Sequence, residues 1–201
     1  MGFVKTVFFD VDTQLDFLFP AGALAVPGAE DIVQSLGELT RFAAANQIPI
    51  ISTADAHSGD DAEFKIWKPH CVAGTTGQQK AAATLLSRRW ILGASAMPVE
   101  PMPANLRDAQ QIIVEKQMID CFTNVNLRPL LDILQAERYV VYGVVTELCV
   151  QSAAFGLLKL GAEVELVTDA IKSLSTTKER EVLQRFAAEG GRLTSVSAVI
   201  G

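Results

Sequence analysis

Short apolar runs alternate with helical stretches along the chain, and this alternation limits the fold more than any other feature. Thr6 to Val11, Pro49 to Thr53, Ile112 to Glu115, Tyr139 to Tyr142, Glu163 to Val167 and Leu193 to Val196 read as strands. Pro27-Gly28-Ala29 precedes a helical stretch to about Asn46, with Ile32, Leu36, Leu39 and Phe42 at helical spacing. A second helix, from about Asn126 to Ala136, tolerates Pro129 in its first turn. A third runs from Thr146 to Leu160 and stops at Gly161. Thr176-Thr177-Lys178-Glu179 resembles a capping box and opens a fourth, to Glu189. Six strands separated by helices imply an α/β fold of three layers, α/β/α, around a six-stranded, mostly parallel sheet with right-handed crossovers and Rossmann-like topology. At 201 residues the chain suits one such domain, 1–201, and is short for two.

In sheets of this kind ligands bind beyond the carboxyl ends of the strands. Asp10, Asp12, Asp55, Lys116 and the turn before Cys149 all fall there. Gly143-Val144-Val145-Thr146-Glu147-Leu148-Cys149 takes a strand through a Gly-led turn into a helix start. A thiol in that first turn feels the positive end of the helix dipole and unpaired N–H groups, which favour thiolate. Read alone, Cys149 fits a small buried hydrophobe equally well. Asp12 reads alone as a turn residue or helix N-cap, with Asp10 as a rival acid, and Lys116 as a solvated strand end. Cys71 and Cys121 lie at no strand–turn–helix junction and read as packing residues. The stretch from Ala54 to about Arg107 is irregular, carrying Pro69, Gly74, Gly77, Pro98, Pro101 and Pro103, with Gln78 to Arg89 as a candidate helix within it. A loop of that length in a compact domain is usually functional.

A net charge of −6, a pI near 4.9 and no basic cluster beyond Arg88-Arg89 argue against nucleic acid or an anionic membrane as partner. Three cysteines cannot all pair within the chain and offer no CxxC site, which fits a reducing cytoplasm. The N-terminus shows no signal-peptide pattern before Val4 to Phe9, and no apolar run is long enough to span a bilayer. There is no dinucleotide fingerprint or phosphate loop, so no organic cofactor is expected.

Four motifs in order resemble the isochorismatase-like cysteine hydrolases, and among them the nicotinamidases. They are Asp12-Thr13-Gln14-Leu15-Asp16-Phe17 with Phe19 to Gly28, then Asp55-Ala56-His57 with Trp67-Lys68-Pro69-His70-Cys71-Val72-Ala73-Gly74-Thr75, then Glu115-Lys116, then Gly143 to Cys149. The resemblance implies a catalytic triad of Asp12, Lys116 and Cys149. It implies an oxyanion hole from the backbone N–H groups of Val145 and Cys149, beside a cis peptide between Val144 and Val145. It also implies a divalent metal, zinc by preference, on Asp55, His57 and His70, the chain's only two histidines being in that set. Some nicotinamidases carry a further histidine in this loop; here Glu63 is the candidate replacement, with Asp60 and Asp61 as alternatives and a solvated loop carboxylate as the plain reading of each. Phe17 and Trp67 match positions that wall the substrate ring, though core packing would equally explain them. Asp120 to Asn124 lacks the tyrosine expected of many nicotinamidases. The implied reaction is hydrolysis of nicotinamide to nicotinate and ammonia in NAD salvage, by a cytoplasmic homo-oligomer, dimeric or tetrameric. The same triad would serve another small amide, ureide or carbamoyl compound; a silent binding or scaffold role is the third reading.

Overall fold

The computed structural model describes residues 5–97 and 108–201; Pro98, Pro101 and Pro103 of the irregular stretch lie outside the described residues. Seven parallel strands form one sheet in the order β3-β4-β2-β1-β5-β6-β7. These are β1 (Thr6–Val11), β2 (Ile50–Asp55), β3 (Arg89–Leu92), β4 (Gln111–Lys116), β5 (Arg138–Val144), β6 (Glu163–Lys172) and β7 (Arg192–Thr194). The helices are a single turn α1 (Leu15–Leu18), then α2 (Val33–Ala45), α3 (Leu127–Leu134), α4 (Gln151–Leu158), α5 (Thr176–Ala188) and α6 (Val196–Ile200). The parallel α/β architecture is as the alternation implies, with one strand more than expected.

Alternate residues of β1 enter different cores. Val7, Phe9 and Val11 join a cluster with α3, α4 and α5, through residues such as Leu130, Ala153 and Phe186. Phe8 joins the opposite cluster with Leu36 and Leu39 of α2 and Val196 of α6. A strand buried on both faces needs apolar side chains at every position, which is why these runs show no polar alternation. The polar exceptions, Asp10, Ser52, Thr53 and Gln111, are fully buried and tie to one another or to the loops.

Four local expectations change. Gln78 to Arg89 forms no α-helix; it holds a short 3-10 turn, Ala82–Thr84, followed by the unexpected edge strand β3. β6 continues to Lys172 beyond Val167, because a register shift lets Ile171 and Lys172 rejoin Gly143 and Val144. The helix after β5 opens with a π-turn, Thr146–Val150, before α4. The cap of α5 is Ser175, whose hydroxyl accepts from the Lys178 N–H, one position before the supposed box.

β1 sits where the chain's path reverses: β2, β3 and β4 lie on one side of it, and β5 to β7 on the other. Such a reversal opens a crevice at the carboxyl ends of the strands. Gly143 has φ +120°, and a Cβ there would run into the Val11 carbonyl, so only glycine lets β5 lie this close to the end of β1.

Candidate active site

The ends of β1, β2, β4 and β5 meet in the crevice. Asp12 follows β1 in the left-handed region, φ 48°, a conformation Asp tolerates better than most residues. Thr53 of β2 donates to its Oδ1 at 2.6 Å. Oδ2 stands 2.9 Å from Lys116 Nζ, with no aligned hydrogen bond of its own among the described residues. Lys116, last in β4, places the same Nζ 3.5 Å from Cys149 Sγ. Cys149 arrives in the π-turn after β5, next to the cis peptide Val144–Val145. The Val145 carbonyl accepts the N–H groups of Leu148 and Val150 and so anchors that turn.

All three side chains are buried, and burial governs their protonation. It raises the Cys149 thiol well above its ordinary range; Lys116 opposes this, while Asp12 and Asp55 add to it. This direction is opposite to the pull toward thiolate expected of a helix start, since loss of solvent outweighs the lysine. Burial also raises Asp12, against the pull of Lys116. For Lys116, burial would lower the pKa, but Asp12, Asp55 and Cys149 outweigh it and hold the ammonium charged. The resting geometry places Lys116 Nζ within reach of both the Cys149 sulfur and the Asp12 carboxyl.

Asp55 joins this group to a second one. Its Oδ1 lies 2.5 Å from Lys116 Nζ, and its Oδ2 lies 3.8 Å from Nε2 of both His57 and His70. Ligand atoms of Asp55, His57 and His70 fall within 4.8 Å of one another. The isolated bridge His57–Val72 lays the loop of His70 along the end of β2. His57 Nδ1 faces Asp61 at 3.0 Å and His70 Nδ1 faces the Lys68 carbonyl at 2.7 Å. Both partners only accept, so each Nδ1 carries a proton and Nε2 is left as the ring nitrogen able to meet an ion. His57 Nε2 is buried with no hydrogen-bond partner among the described residues. An unpartnered buried nitrogen between a carboxylate and a second imidazole fits a divalent ion, which would displace any proton there, and the N,N,O donor set suits zinc. Burial works against charge on His57, but Asp55, Asp61 and Glu63 prevail and hold its pKa at about 9 in the metal-free chain.

Glu63 is half-buried and lines the cavity with Asp55 and His70, outside the tight three-residue group, and burial raises its pKa. Asp61 is committed to His57 and to the Glu63 N–H, which makes it a support to the group, and Asp60 is exposed. Phe17 and Trp67 both line the cavity, and the Phe17 ring lies 5.3 Å from that of His70. The rival groups are occupied elsewhere. Asp10 pairs with Lys80 at 3.1 Å and accepts from Thr13 and Ser52, while Cys71 and Cys121 are buried thiols that burial raises further.

Several working residues carry no chemistry-bearing signature. Thr53 is one. Gln14 clasps Asp55, donating to its carbonyl and accepting its N–H, and Asp16 accepts the N–H groups of Ala23 and Cys71. Both belong to the motif after β1, so their spacing was the available signal. Leu174, held by Glu147 through its N–H, and Ile119 complete the cavity wall; nothing in the sequence singles them out.

Residues 6–198 match the isochorismatase domain family. No curated protein matches the chain significantly in sequence. Among solved structures, the pyrazinamidase of Pyrococcus horikoshii in complex with zinc is 26% identical with a TM-score of 0.77, covering 95% of this chain and 99% of that one. The pyrazinamidase/nicotinamidase from Streptococcus mutans is 24% identical, TM-score 0.78, covering 94% of this chain and 100% of that one. N-carbamoylsarcosine amidase from Thermoplasma acidophilum is 20% identical, TM-score 0.76, covering 98% of this chain and 99% of that one. The last two likenesses establish the fold.

Proposed function

The chain belongs to the isochorismatase family of hydrolases, and from that premise we propose that it hydrolyses the carboxamide of nicotinamide to nicotinate and ammonia through a Cys149 thioester. The observation that carries this reading is the Lys116 ammonium, 2.9 Å from Asp12 and 3.5 Å from the Cys149 sulfur, in a buried crevice that also holds an orphaned metal-ligand type.

In the proposed sequence Asp12 Oδ2 takes the thiol proton as sulfur attacks the amide carbon. Lys116 offsets the charge on both groups while the proton moves. The carbonyl oxygen becomes an oxyanion, which we assign to the N–H groups of Val145 and Cys149. Asp12 returns the proton to the amide nitrogen, the C–N bond breaks and ammonia leaves. Water then gives a proton to Asp12 and attacks the thioester; the C–S bond breaks, nicotinate forms, and sulfur recovers its proton. Asp55, His57 and His70 would hold the divalent ion, with Glu63 as a candidate for a further contact. When bound, the ion supplies a Lewis-acid point that orients a ring nitrogen. Phe17 and Trp67 would flank the ring and exclude water. A buried thiol of raised pKa suits this scheme, since the proton leaves only when a substrate is present to be attacked.

The test is ammonia release from nicotinamide by the purified protein, with and without a chelator, beside Cys149→Ala. Activity lost in Cys149→Ala and after chelation is the expected result; an inert, metal-loaded protein would sink the nicotinamide reading. The tyrosine-free stretch Asp120 to Asn124 favours, as a second reading, another small amide, ureide or carbamoyl compound acted on by the same residues.

A further inference from the structure

The mouth of the crevice is apolar where an exposed loop should be polar. Ile66 is 80% exposed, Met118 57% and Ile119 37%, and none of the three belongs to either core cluster. They gather, with Trp67 between them, along a groove of about 490 Å3 outside the cavity. One wall follows the 3-10 turn Ala62–Lys65 in the loop that leads to His70; the other follows β4 directly after Lys116. Groove and cavity share Glu63, Trp67 and Ile119 as lining, so the two adjoin. The groove's charged members are Asp61, Glu63 and Asp120, with no lysine or arginine lining it. A volume of this size fits a small molecule, and its acidic rim disfavours an anion.

We propose that the substrate is a carboxamide bearing an uncharged apolar extension, alkyl or aryl, which lies along Ile66, Trp67, Met118 and Ile119 while the carboxamide reaches Cys149. This rests on the amidase reading and narrows it: a bare ring would leave the groove in water. The lining that the groove shares with the reactive cavity, at Glu63, Trp67 and Ile119, selects a part of the substrate as the occupant.

Binding to the Cys149→Ala protein, loaded with zinc and followed by calorimetry, separates the cases. The probes are nicotinamide, its 5-butyl and 6-butyl derivatives, and the same derivatives ending in a carboxylate. One butyl isomer should bind about tenfold tighter than nicotinamide, as an open groove removes only part of the chain's surface from water. Its carboxylate-ended form should lose that gain. Adding Met118→Lys or Ile66→Lys, both at exposed positions that folding does not depend on, should return the ratio towards one. No gain with either isomer, or a gain that survives both substitutions, would overturn the proposal. So would dissociation of an oligomer by Met118→Lys with the ratio unchanged, which would give the groove to a second copy of the chain. Ammonia release from nicotinamide and from the butyl amides by the unsubstituted protein reports on the amidase reading separately, so a failure of the groove is told apart from a failure of that reading.

Discussion

Asp55 faces two ways, and its two oxygens link the proposed reactive group to the proposed metal group. One oxygen meets Lys116 at 2.5 Å, and the other faces two imidazole nitrogens at 3.8 Å. Removing its charge should therefore do more than remove a ligand. Asp55→Asn is expected to lose bound zinc and to lower kcat/KM by about a thousandfold, a loss that added zinc does not restore; metal analysis beside the ammonia assay checks it. Thr53 acts on Asp12 more gently. Its hydrogen bond favours the carboxylate, so Thr53→Val should raise the Asp12 pKa further. Activity needs that carboxylate ionised, so the acid limb of kcat/KM should move to higher pH, with a loss of about tenfold at the lower end. An unmoved limb would contradict the assignment of Asp12 as the base. His57 gives a second pH effect. Its raised pKa stabilises the metal-free fold fully below pH 6.5, and that contribution fades as pH rises through about 9. Zinc needs the neutral ring, so affinity should fall about tenfold per unit below pH 9, in titrations against a competing chelator. The residues proposed as reactive stood out in the sequence because acids, a lysine and a thiol lay at strand ends in family order. The protonation of Cys149 was not, because burial is a property of the assembled crevice. Thr53 was hidden as one more β-branched residue in an apolar strand.

At the scale of elements, legibility follows how far each segment depends on its own sequence. β1, β2, β4 and β5 are buried on both faces and announce themselves as short runs rich in apolar and β-branched residues. β3 is an edge strand of four residues with Arg89 and Ile91 exposed, so its local pattern is weak and only pairing with β4 makes it a strand. β6 hides its last turn of sequence behind Asp169, whose carboxylate leaves the sheet to accept the Val196 N–H at the start of α6. Beneath these strands lies a buried ion pair that composition could not show: Lys80, 6% exposed, reaches Asp10 at 3.1 Å and donates to the Thr53 carbonyl at 3.2 Å. It pins the irregular loop to β1 and β2 directly under Asp12. Lys80→Met keeps the length of the stem but strands the Asp10 charge in the core. The expected cost is about 3–5 kcal/mol in urea unfolding; a change under about 1 kcal/mol would mean that Asp10 finds another partner or a proton.

For the whole molecule, the reversal of strand order at β1 decides where chemistry can occur, and the long loop between β2 and β3 decides what it can hold. That loop has few strand contacts of its own. It is fastened by Gln14, by Asp16, by Lys80 and by the bridge at His57, and a metal ion on His57 and His70 would fasten it again. No helix among the described residues is long and apolar enough to cross a membrane. A ligand that binds only the folded chain stabilises it by mass action, about 2.7 kcal/mol at a hundredfold excess over Kd. For a domain of this size that corresponds to roughly 5–10 °C in Tm. Calorimetric scans with zinc and with chelator should differ by about that much for the unsubstituted protein. His70→Ala should show little difference between the two scans, because one of the three ligands is gone. Equal shifts in both proteins would place the ion elsewhere on the chain, and then the orphaned His57 nitrogen would need another occupant. A shift absent from His70→Ala but undiminished in Cys149→Ala would mean that the metal group holds the loop in place whether or not the thiol is there to use it.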